Sequence, residues 1–339
     1  MLLAGDVGGT KTDLAIYSGQ TGPYSPIVET RVRTGDYPSL QAMVREFLAQ
    51  ANLSVEEACF DVAGPVVNGR VKITNVPWAI DETTLASDLN LRSVHLLNDL
   101  EAAAWAIPVL RESDVRVLNT GEPVHKGALA VVAPGTGLGE SFLTWNGSEY
   151  MAHGSEGGHS DFSPTDARQI RLLEYLLARF DHVSAERVCS GIGIPNIYDY
   201  LRNVEHLPET PAVSQLLAES RDRTEVIVDV ARDPEIHSDV CRATVDMFVS
   251  ILAGEAGNLA LKVFATGGIY LAGGVVLHML DVLQEPGFML AFVRKGRLSD
   301  VMKRIPVRVI TTRAALLGAA TFGLASRLTG EPARLQPKV

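Results

Sequence analysis

The first seventeen residues restrict the fold of this chain more than any other stretch. A mostly apolar run, residues 2–7, leads into the pair Gly8-Gly9, and apolar residues resume at 14–17. Glycine accepts positive φ angles without a side-chain clash, so this order predicts a strand, a tight turn and a returning strand. An ordinary hairpin would have the same pattern.

The predicted turn carries groups that can surround a phosphate. The N–H groups of a glycine turn lie bare, and Thr10 and Thr12 add hydroxyl groups beside them. Asp6, at the end of the strand, is placed to hold a cation that neutralises such a phosphate. The glycine spacing matches neither the Walker loop nor the dinucleotide-binding fingerprint, and no helix pattern follows the turn. The stretch is therefore either a phosphate site of another kind or a plain hairpin.

Charge and cysteine content exclude several classes of protein. The net charge of −10 over 339 residues opposes a general nucleic-acid binder, because a polyanion would be repelled on average. The three cysteines, Cys59, Cys189 and Cys241, lie too far apart in the sequence for a zinc site or a disulfide framework. We therefore expect neither.

No secretory signal or membrane span is expected. The N-terminus lacks a basic region and reaches Asp6 almost at once. The longest apolar stretch, residues 248–264, is interrupted by Glu255, Asn258 and Lys262, which predicts a buried helix. We expect a cytoplasmic protein that does not bind a membrane.

Hydrophobic periods and turn signals predict two α/β domains. Three strands in meander order precede strands that alternate with helices, which is typical of a mixed sheet. The pattern lapses around residues 108–114, where we place a boundary. Beyond it, a strand at 128–133, a glycine turn at 134–139 and a strand at 141–145 repeat the strand–turn–strand pattern of the first seventeen residues. Other predicted elements are strands at 27–32, 59–63, 94–97, 269–272 and 307–310, a hairpin at 66–71, and helices at 40–48, 81–89, 100–106, 167–180, 194–201, 239–264, 275–283 and 314–328.

Five motifs, in order, give this sequence a family resemblance. They are Gly5-Asp6-Val7-Gly8-Gly9-Thr10, Leu97-Asn98-Asp99, Pro134-Gly135-Thr136-Gly137-Leu138-Gly139, Glu156-Gly157-Gly158-His159 and Leu271-Ala272-Gly273-Gly274. Over nearly the whole chain, they resemble the bacterial glucokinase family of the hexokinase–actin–Hsp70 ATPase superfamily. The resemblance implies two ribonuclease-H-like α/β domains with a cleft between them for ATP and sugar. The small domain would comprise residues 1–109 plus 312–328, and the large domain residues 110–311.

The resemblance also implies an activity. The expected reaction is ATP-dependent phosphorylation of D-glucose at the C6 hydroxyl, the first step of glycolysis, by a homodimer that requires Mg²⁺. The related repressor/ORF/kinase group carries a cysteine-rich zinc motif just after the position of His159. Residues 160–164 contain no cysteine here, so no zinc is expected.

Asp99 is the candidate base for this reaction. It follows a predicted strand and adjoins Asn98, whose amide is able to hold a sugar. The pattern alone favours a cap on the helix that begins near residue 100 over a catalytic role. By the resemblance, the family's catalytic aspartate falls on Asp99, and capping and catalysis are compatible.

A carboxylate and two imidazoles recur at every third residue in His153, Glu156 and His159. This spacing can hold a metal, but the glycines between them disfavour a rigid helical face, and no further ligand is evident. Such groups also suit a ring of sugar hydroxyls, because they accept and donate hydrogen bonds. By the resemblance, Glu156 and His159 bind glucose together with Asn98, Asp99, Glu186 and Gly137.

The resemblance also assigns the nucleotide and its cation. Mg²⁺ falls near Asp6, the glycine turns hold the phosphates, and Gly273-Gly274 approaches the adenosine. The full set of nucleotide-binding positions is Gly5, Asp6, Val7, Gly8, Gly9, Thr10, Gly135, Thr136, Gly137, Gly139, Gly273 and Gly274. Alternatives left open are another hexose, polyphosphate as donor, or a sugar-sensing regulator without catalysis.

Overall fold

The computed structural model describes residues 1–73 and 76–329, with side chains up to residue 326. In that part of the chain the strands are β1 Leu2–Val7, β2 Lys11–Tyr17, β3 Val28–Arg33, β4 Glu57–Val62, β5 Arg70–Lys72, β6 Ala79–Asp81, β7 Ser93–Asn98, β8 Val115–Asn119, β9 Leu129–Pro134, β10 Leu138–Trp145, β11 Tyr150–Ser155, β12 Gly268–Leu271 and β13 Val307–Ile310. The α-helices are α1 Leu40–Ala51, α2 Glu82–Leu89, α3 Asp99–Ala106, α4 Ala167–Leu177, α5 Gly193–Asn203, α6 Pro211–Glu219, α7 Arg223–Arg232, α8 Asp239–Lys262, α9 Gly274–His278, α10 Leu280–Leu283, α11 Pro286–Phe292, α12 Ser299–Arg304 and α13 Ala314–Thr329.

The chain divides into two compact units. The small unit is Met1–Arg111 with the segment that begins at Thr312, and the large unit is Glu112–Thr311. The sheet of the small unit has the order β3-β2-β1-β4-β7. The first two pairings in that order are antiparallel, and the last two are parallel.

The large unit repeats this topology. Its sheet has the order β11-β10-β9-β12-β13-β8, again with two antiparallel pairings followed by two parallel ones. Strand β8 adds an antiparallel edge beyond β13. A duplicated mixed sheet with this strand order confirms the predicted pair of ribonuclease-H-like α/β domains.

Helices lie on both faces of the small sheet, as the contacts of neighbouring side chains of β1 show. Successive side chains of a strand point to opposite faces. Leu3 belongs to the apolar core that includes Met43 and Phe47 of α1. Leu2 instead lies against Gly323 of α13. Helix α13 therefore packs on the small unit, on the opposite face of the sheet from α1.

Helix α8 forms the centre of the large unit. Sixteen of its residues, between Val240 and Ala260, are buried. Among the described residues it is the one helix long and apolar enough to cross a membrane, but 78% of its apolar window is buried inside the protein. The prediction of a buried core helix at 239–264 is therefore confirmed.

Local sequence signals located several elements correctly. Asp81 accepts the N–H of Thr84 and caps α2, as its acidic side chain predicted. Asn68 and Gly69 both have positive φ, 51° and 71°, which is the backbone of the predicted tight turn. The strand that follows the turn then pairs chiefly with β6.

Two predicted helices differ from the structure. The helix predicted at 167–180 ends at Leu177. The helix predicted at 275–283 is broken into α9 and α10 at Met279, which has non-helical backbone and is fully buried. Core packing of this side chain overrides the local helical pattern.

Helices α6 and α7 were not predicted, although both carry start signals. Thr210 caps α6 with Pro211 at its first position, and Asp222 caps α7. Strands β8 and β11 were also missed, because neither has a strong apolar alternation.

Candidate functional site

Three acidic residues meet at one edge of the small sheet. Strands β1, β4 and β7 are parallel neighbours, so their carboxyl ends lie together, where ligands bind in α/β sheets. Asp6 is the register partner of Asp61, and Asp99 directly follows β7. The charge of Asp6 raises the pKa of both other carboxyl groups, which places all three within electrostatic reach.

Asp61 is the most buried of the three and was not predicted as a site residue. It is 1% exposed, and neither carboxyl oxygen accepts a hydrogen bond from the described residues. Burial, then the charges of Asp6 and Asp99, raise its pKa well above the usual range. Asp61 therefore holds its proton more tightly than a solvated carboxyl group does, beside its register partner Asp6. The available signal was an acidic residue inside an apolar strand that stops at Gly64-Pro65.

Asn98 and Asp99 have separate tasks at the start of α3. Asn98 Oδ1 accepts the N–H of Leu100 at 2.9 Å, and its amide donates to the carbonyl of Gly64 at 3.1 Å. Asn98 is therefore the cap, while Asp99 is the first helical residue and also accepts the Leu100 N–H at 2.9 Å. Burial raises the pKa of Asp99 to about 6, against the opposing effect of this N–H. A carboxylate with such a pKa is ionised at neutral pH and a better proton acceptor than a solvated one.

The turn Gly8–Thr10 has the predicted hairpin geometry. The Gly8 N–H donates to the carbonyl of Lys11 at 3.1 Å. A Cβ at Gly8 would lie 2.9 Å from that oxygen, which explains the glycine. The Thr34 hydroxyl donates to the Gly8 carbonyl at 2.7 Å and fixes the turn from behind. Of the other positions in this motif, Gly5 and Val7 are buried within β1, so the turn and Asp6 are its accessible part.

The second glycine turn, Gly135–Gly137, is held by three contacts within the large unit. The carbonyls of Gly135 and Thr136 accept the N–H groups of Gly191 at 2.8 Å and Ile192 at 3.3 Å. Glu186 Oε2 accepts the Leu138 N–H at 3.0 Å. A Cβ on Gly137 would overlap the Glu186 carboxylate. Glu186, which the resemblance assigns to sugar, thus also fixes this turn.

Gly139 lies outside the turn. The predicted turn at 134–139 is shorter in the structure, because Leu138 and Gly139 already belong to β10, with Gly139 opposite Ala133 of β9. The antiparallel ladder with β9 begins at Leu138 and leaves only residues 135–137 between the strands.

The motif Glu156–His159 follows β11 as a single 3-10 turn. Glu156 and His159 are exposed, and their side chains approach each other at 3.9 Å. Gly158 packs so closely on the carbonyl of Leu138 that a Cβ would overlap it. His159 and Glu186 line one cavity of about 440 Å³ with Arg179, Phe180, Asp181, His182, Ser184 and Arg187, and Glu156 is outside this lining. His153 is separate: it bonds Thr144 at 2.9 Å and stacks on Phe142.

Gly273 lies beside the second glycine turn. Strands β9 and β12 are parallel neighbours, so residues 272–274 follow the same sheet edge as Gly135. Gly273 has φ +95°, and a Cβ there would overlap the carbonyl of Pro134. Gly274 has open space around it, and it lines a cavity of about 210 Å³ with Thr224 and His278.

The acidic edge of the small unit suits a hard cation. The orphan oxygens of Asp61 lie beside Asp6, and Mg²⁺ takes oxygen ligands from one or two carboxylates together with substrate phosphates. Among the described residues no group of three or more His, Cys, Asp or Glu forms a metal cage. The residues present therefore fit Mg²⁺ held by Asp6 with phosphate oxygens.

Glycine turns at the carboxyl ends of two like sheets, with an acidic edge on the small one, are the features of a phosphotransferase of the actin-like ATPase class. Comparison with known proteins narrows this class. The family model described as Glucokinase matches residues 3–326. The chain therefore belongs to the glucokinase family.

The matches to individual relatives extend over nearly the full length of both chains. A glucokinase of Trichormus variabilis is 37% identical over 334 residues, which cover 94% of this chain and 98% of the relative. The crystal structure of a glucokinase from an Antarctic psychrotroph has a TM-score of 0.84 and 29% identity, and the match covers 96% of this chain and 99% of that one. A ROK family glucokinase from Streptomyces griseus, in complex with glucose and AMPPNP, shares the fold with a TM-score of 0.62 and 18% identity, over 95% and 98% of the two chains.

Proposed function

We propose that this protein phosphorylates D-glucose at the C6 hydroxyl with ATP. The observation that carries the proposal is Asp99, an ionised and partly buried carboxylate with a pKa of about 6 at an edge suited to phosphate and Mg²⁺. Membership of the glucokinase family supports the substrate.

Asp99 accepts the proton of the C6 hydroxyl as that oxygen attacks the γ-phosphorus in line. The bond between the γ-phosphorus and the β,γ-bridging oxygen breaks, and ADP leaves. General-base assistance of this kind contributes about 10²- to 10⁴-fold in rate. The capping bond of Asn98 holds the start of α3, so Asp99 need not provide the cap and keeps one carboxyl oxygen for the sugar. The proton stays on Asp99 until product leaves.

The glycine turns bind the phosphates of ATP through N–H groups that are already oriented. Gly8–Thr10 and Gly135–Gly137 are each fixed from behind, by Thr34 and by Glu186. Fixed donors stabilise developing charge without reorganisation. Mg²⁺, held by Asp6 and the phosphates, would supply charge neutralisation, and the backbone at Gly273-Gly274 approaches the adenosine.

The sugar is recognised by carboxylates and an imidazole. Glu156, His159 and Glu186 present acceptors and donors suited to vicinal hydroxyls, and the amide of Asn98 adds another pair. Homodimeric assembly, a cytoplasmic location and a place at the first step of glycolysis stay predictions from the family resemblance. Light scattering of the purified protein and cell fractionation check the first two.

A coupled assay tests the proposal. Glucose, mannose, fructose and acetate are each offered with ATP–Mg²⁺ or with polyphosphate. With ATP the release of ADP is followed by coupled enzymes, and with polyphosphate the phosphorylated product is quantified by mass spectrometry. We expect glucose with ATP to give the highest kcat/KM. A folded protein that turns over only polyphosphate, or that binds glucose without phosphorylating it, would contradict the proposal.

A further inference from the structure

A second buried acidic side chain lies directly beneath the sugar-binding motif. Glu140 is on β10, opposite Ser155 of β11, and is 2% exposed. A Cβ built on Gly157 would overlap Glu140 Oε2 and would lie 2.8 Å from its Cδ. The carboxyl group of Glu140 therefore rests against the backbone of the turn Glu156–His159.

The carboxyl group of Glu140 lacks hydrogen-bond partners for one of its oxygens. Glu140 Oε1 has no hydrogen-bond partner among the described residues, and the same is true of Glu255 Oε1 on α8. Glu255 is also buried, at 6% exposed. Glu255 Oε2, by contrast, accepts a hydrogen bond from the amide of Asn258 at 3.1 Å. Buried carboxyl oxygens are normally hydrogen-bonded, and two carboxylates within electrostatic reach of each other repel.

The charged groups around Glu140 and Glu255 offset the repulsion between these two carboxylates only in part. Lys262 Nζ approaches Glu255 Oε1 at 3.7 Å, beyond hydrogen-bond distance, from a side chain that is 57% exposed. Lys295 donates to Asn258 Oδ1 at 2.6 Å and to the carbonyl of Gly254 at 2.9 Å, and its charge also attracts Glu255. The buried thiol of Cys189 has a pKa well above its usual value and stays neutral.

Protonation of Glu140 removes the repulsion between its carboxylate and that of Glu255. Burial, then the charge of Glu255, raise the pKa of Glu140 to about 7, with Lys262 opposing the rise. In the protonated state the side chain can pack against Gly157 as a neutral group. In the ionised state it is repelled by Glu255 and attracts water into the space beneath the turn.

The turn itself depends on this support. The Gly157 N–H donates to Ser155 Oγ at 3.0 Å, and its carbonyl accepts the Ser160 hydroxyl at 2.7 Å. Both bonds are made by the backbone of Gly157, the residue against which Glu140 packs. A shift of Gly157 would move Glu156 and His159 together.

We propose that protonated Glu140 is a positioning residue, which supports the turn Glu156–His159 from beneath Gly157 and so sets the affinity for glucose. The inference rests on the sugar-binding role proposed for that turn. It predicts that glucose affinity falls as Glu140 ionises, while the phosphate turns and Asp99 are unaffected.

The experiment compares Glu140→Gln with the wild type between pH 6.5 and 8.5. The amide keeps the shape of the protonated acid and cannot ionise. We expect the wild-type glucose KM, and the glucose Kd from calorimetry, to rise by about threefold to tenfold over this range, with kcat and the KM for ATP changing by less than about twofold. Glu140→Gln should hold the low value throughout.

Two further variants complete the design. Glu140→Ala removes the support and should raise the glucose KM at every pH, while Glu149→Gln, an exposed residue of the same β10–β11 hairpin, is the matched control and should follow the wild type. Superimposable pH profiles for the wild type and Glu140→Gln would overturn the inference. Should Glu140→Ala fail to fold, the glutamine variant alone decides.

Glu156→Ala separates this inference from the function it rests on. A raised glucose KM in Glu156→Ala, with no effect in either Glu140 variant, refutes the positioning role alone. An unchanged glucose KM in both Glu156→Ala and His159→Ala refutes the sugar-binding role of the turn.

Discussion

Replacing Asp99 by asparagine tests the base directly. The amide is the same size, and Asn98 retains the cap on α3, so the fold should persist. Loss of general-base catalysis lowers kcat by about a hundredfold or more, which corresponds to roughly 2.7 kcal/mol in the activation free energy. Glucose binding should fall much less, because Glu156, His159 and Glu186 are untouched.

The pKa of Asp99 adds a pH profile to this prediction. With a pKa of about 6, the wild-type base is ionised above that pH and gains a proton below it. The wild-type kcat/KM should therefore fall by about tenfold per pH unit below pH 6. In Asp99→Asn this acidic limb should disappear from the residual rate.

The assay is steady-state glucose 6-phosphate formation, with glucose Kd measured separately by calorimetry. Asp36→Asn, an exposed aspartate of the small unit, is the control for loss of one charge. Near-native kcat in Asp99→Asn would remove this residue from the role of base. A glucose Kd raised as much as kcat is lowered would instead make it a binding residue.

Three other predictions follow from particular contacts. Purified protein should contain no stoichiometric zinc and should lose turnover in a chelator until Mg²⁺ is added; elemental analysis with one zinc per chain would contradict this. Gly318→Ala places a Cβ into the Ala102 carbonyl where α13 crosses α3 and should cost about 1–3 kcal/mol in the free energy of unfolding, whereas Gly287→Ala, with open space around it, should not. Because the folded pKa of Glu140 is raised from 4.5 to about 7, its stabilising contribution is complete below pH 4.5 and is lost as pH rises through 7. Denaturant titrations should show the unfolding free energy of the wild type falling by about 3 kcal/mol more than that of Glu140→Gln over this window.

Glycine constraints explain several positions of the family motifs in physical terms. Gly137, Gly158 and Gly273 each face a backbone or carboxylate atom where a Cβ would overlap. By contrast, Gly135 and Gly274 have open space around them. Packing therefore requires the first three glycines, whereas packing alone does not require the other two.

Local patterns in the sequence determined much of the fold. The turn at Asn68-Gly69, the cap at Asp81 and the strand at 307–310 are each set by residues a few positions apart, through backbone conformation or a side-chain bond to a nearby N–H. The glycine turns were found for the same reason. The sequence alone left open whether Asn98 or Asp99 caps α3, because both are adjacent acceptors of the same N–H.

The tertiary structure decided which distant residues share a site. Asp61 meets Asp6 only through the parallel pairing of β1 and β4, and Glu140 meets Gly157 and Glu255 only through packing of β10, a turn and α8. Neither side chain has a distinctive neighbour in sequence. Their raised pKa values arise from burial and from charges that the fold brings close, and no local pattern encodes either quantity.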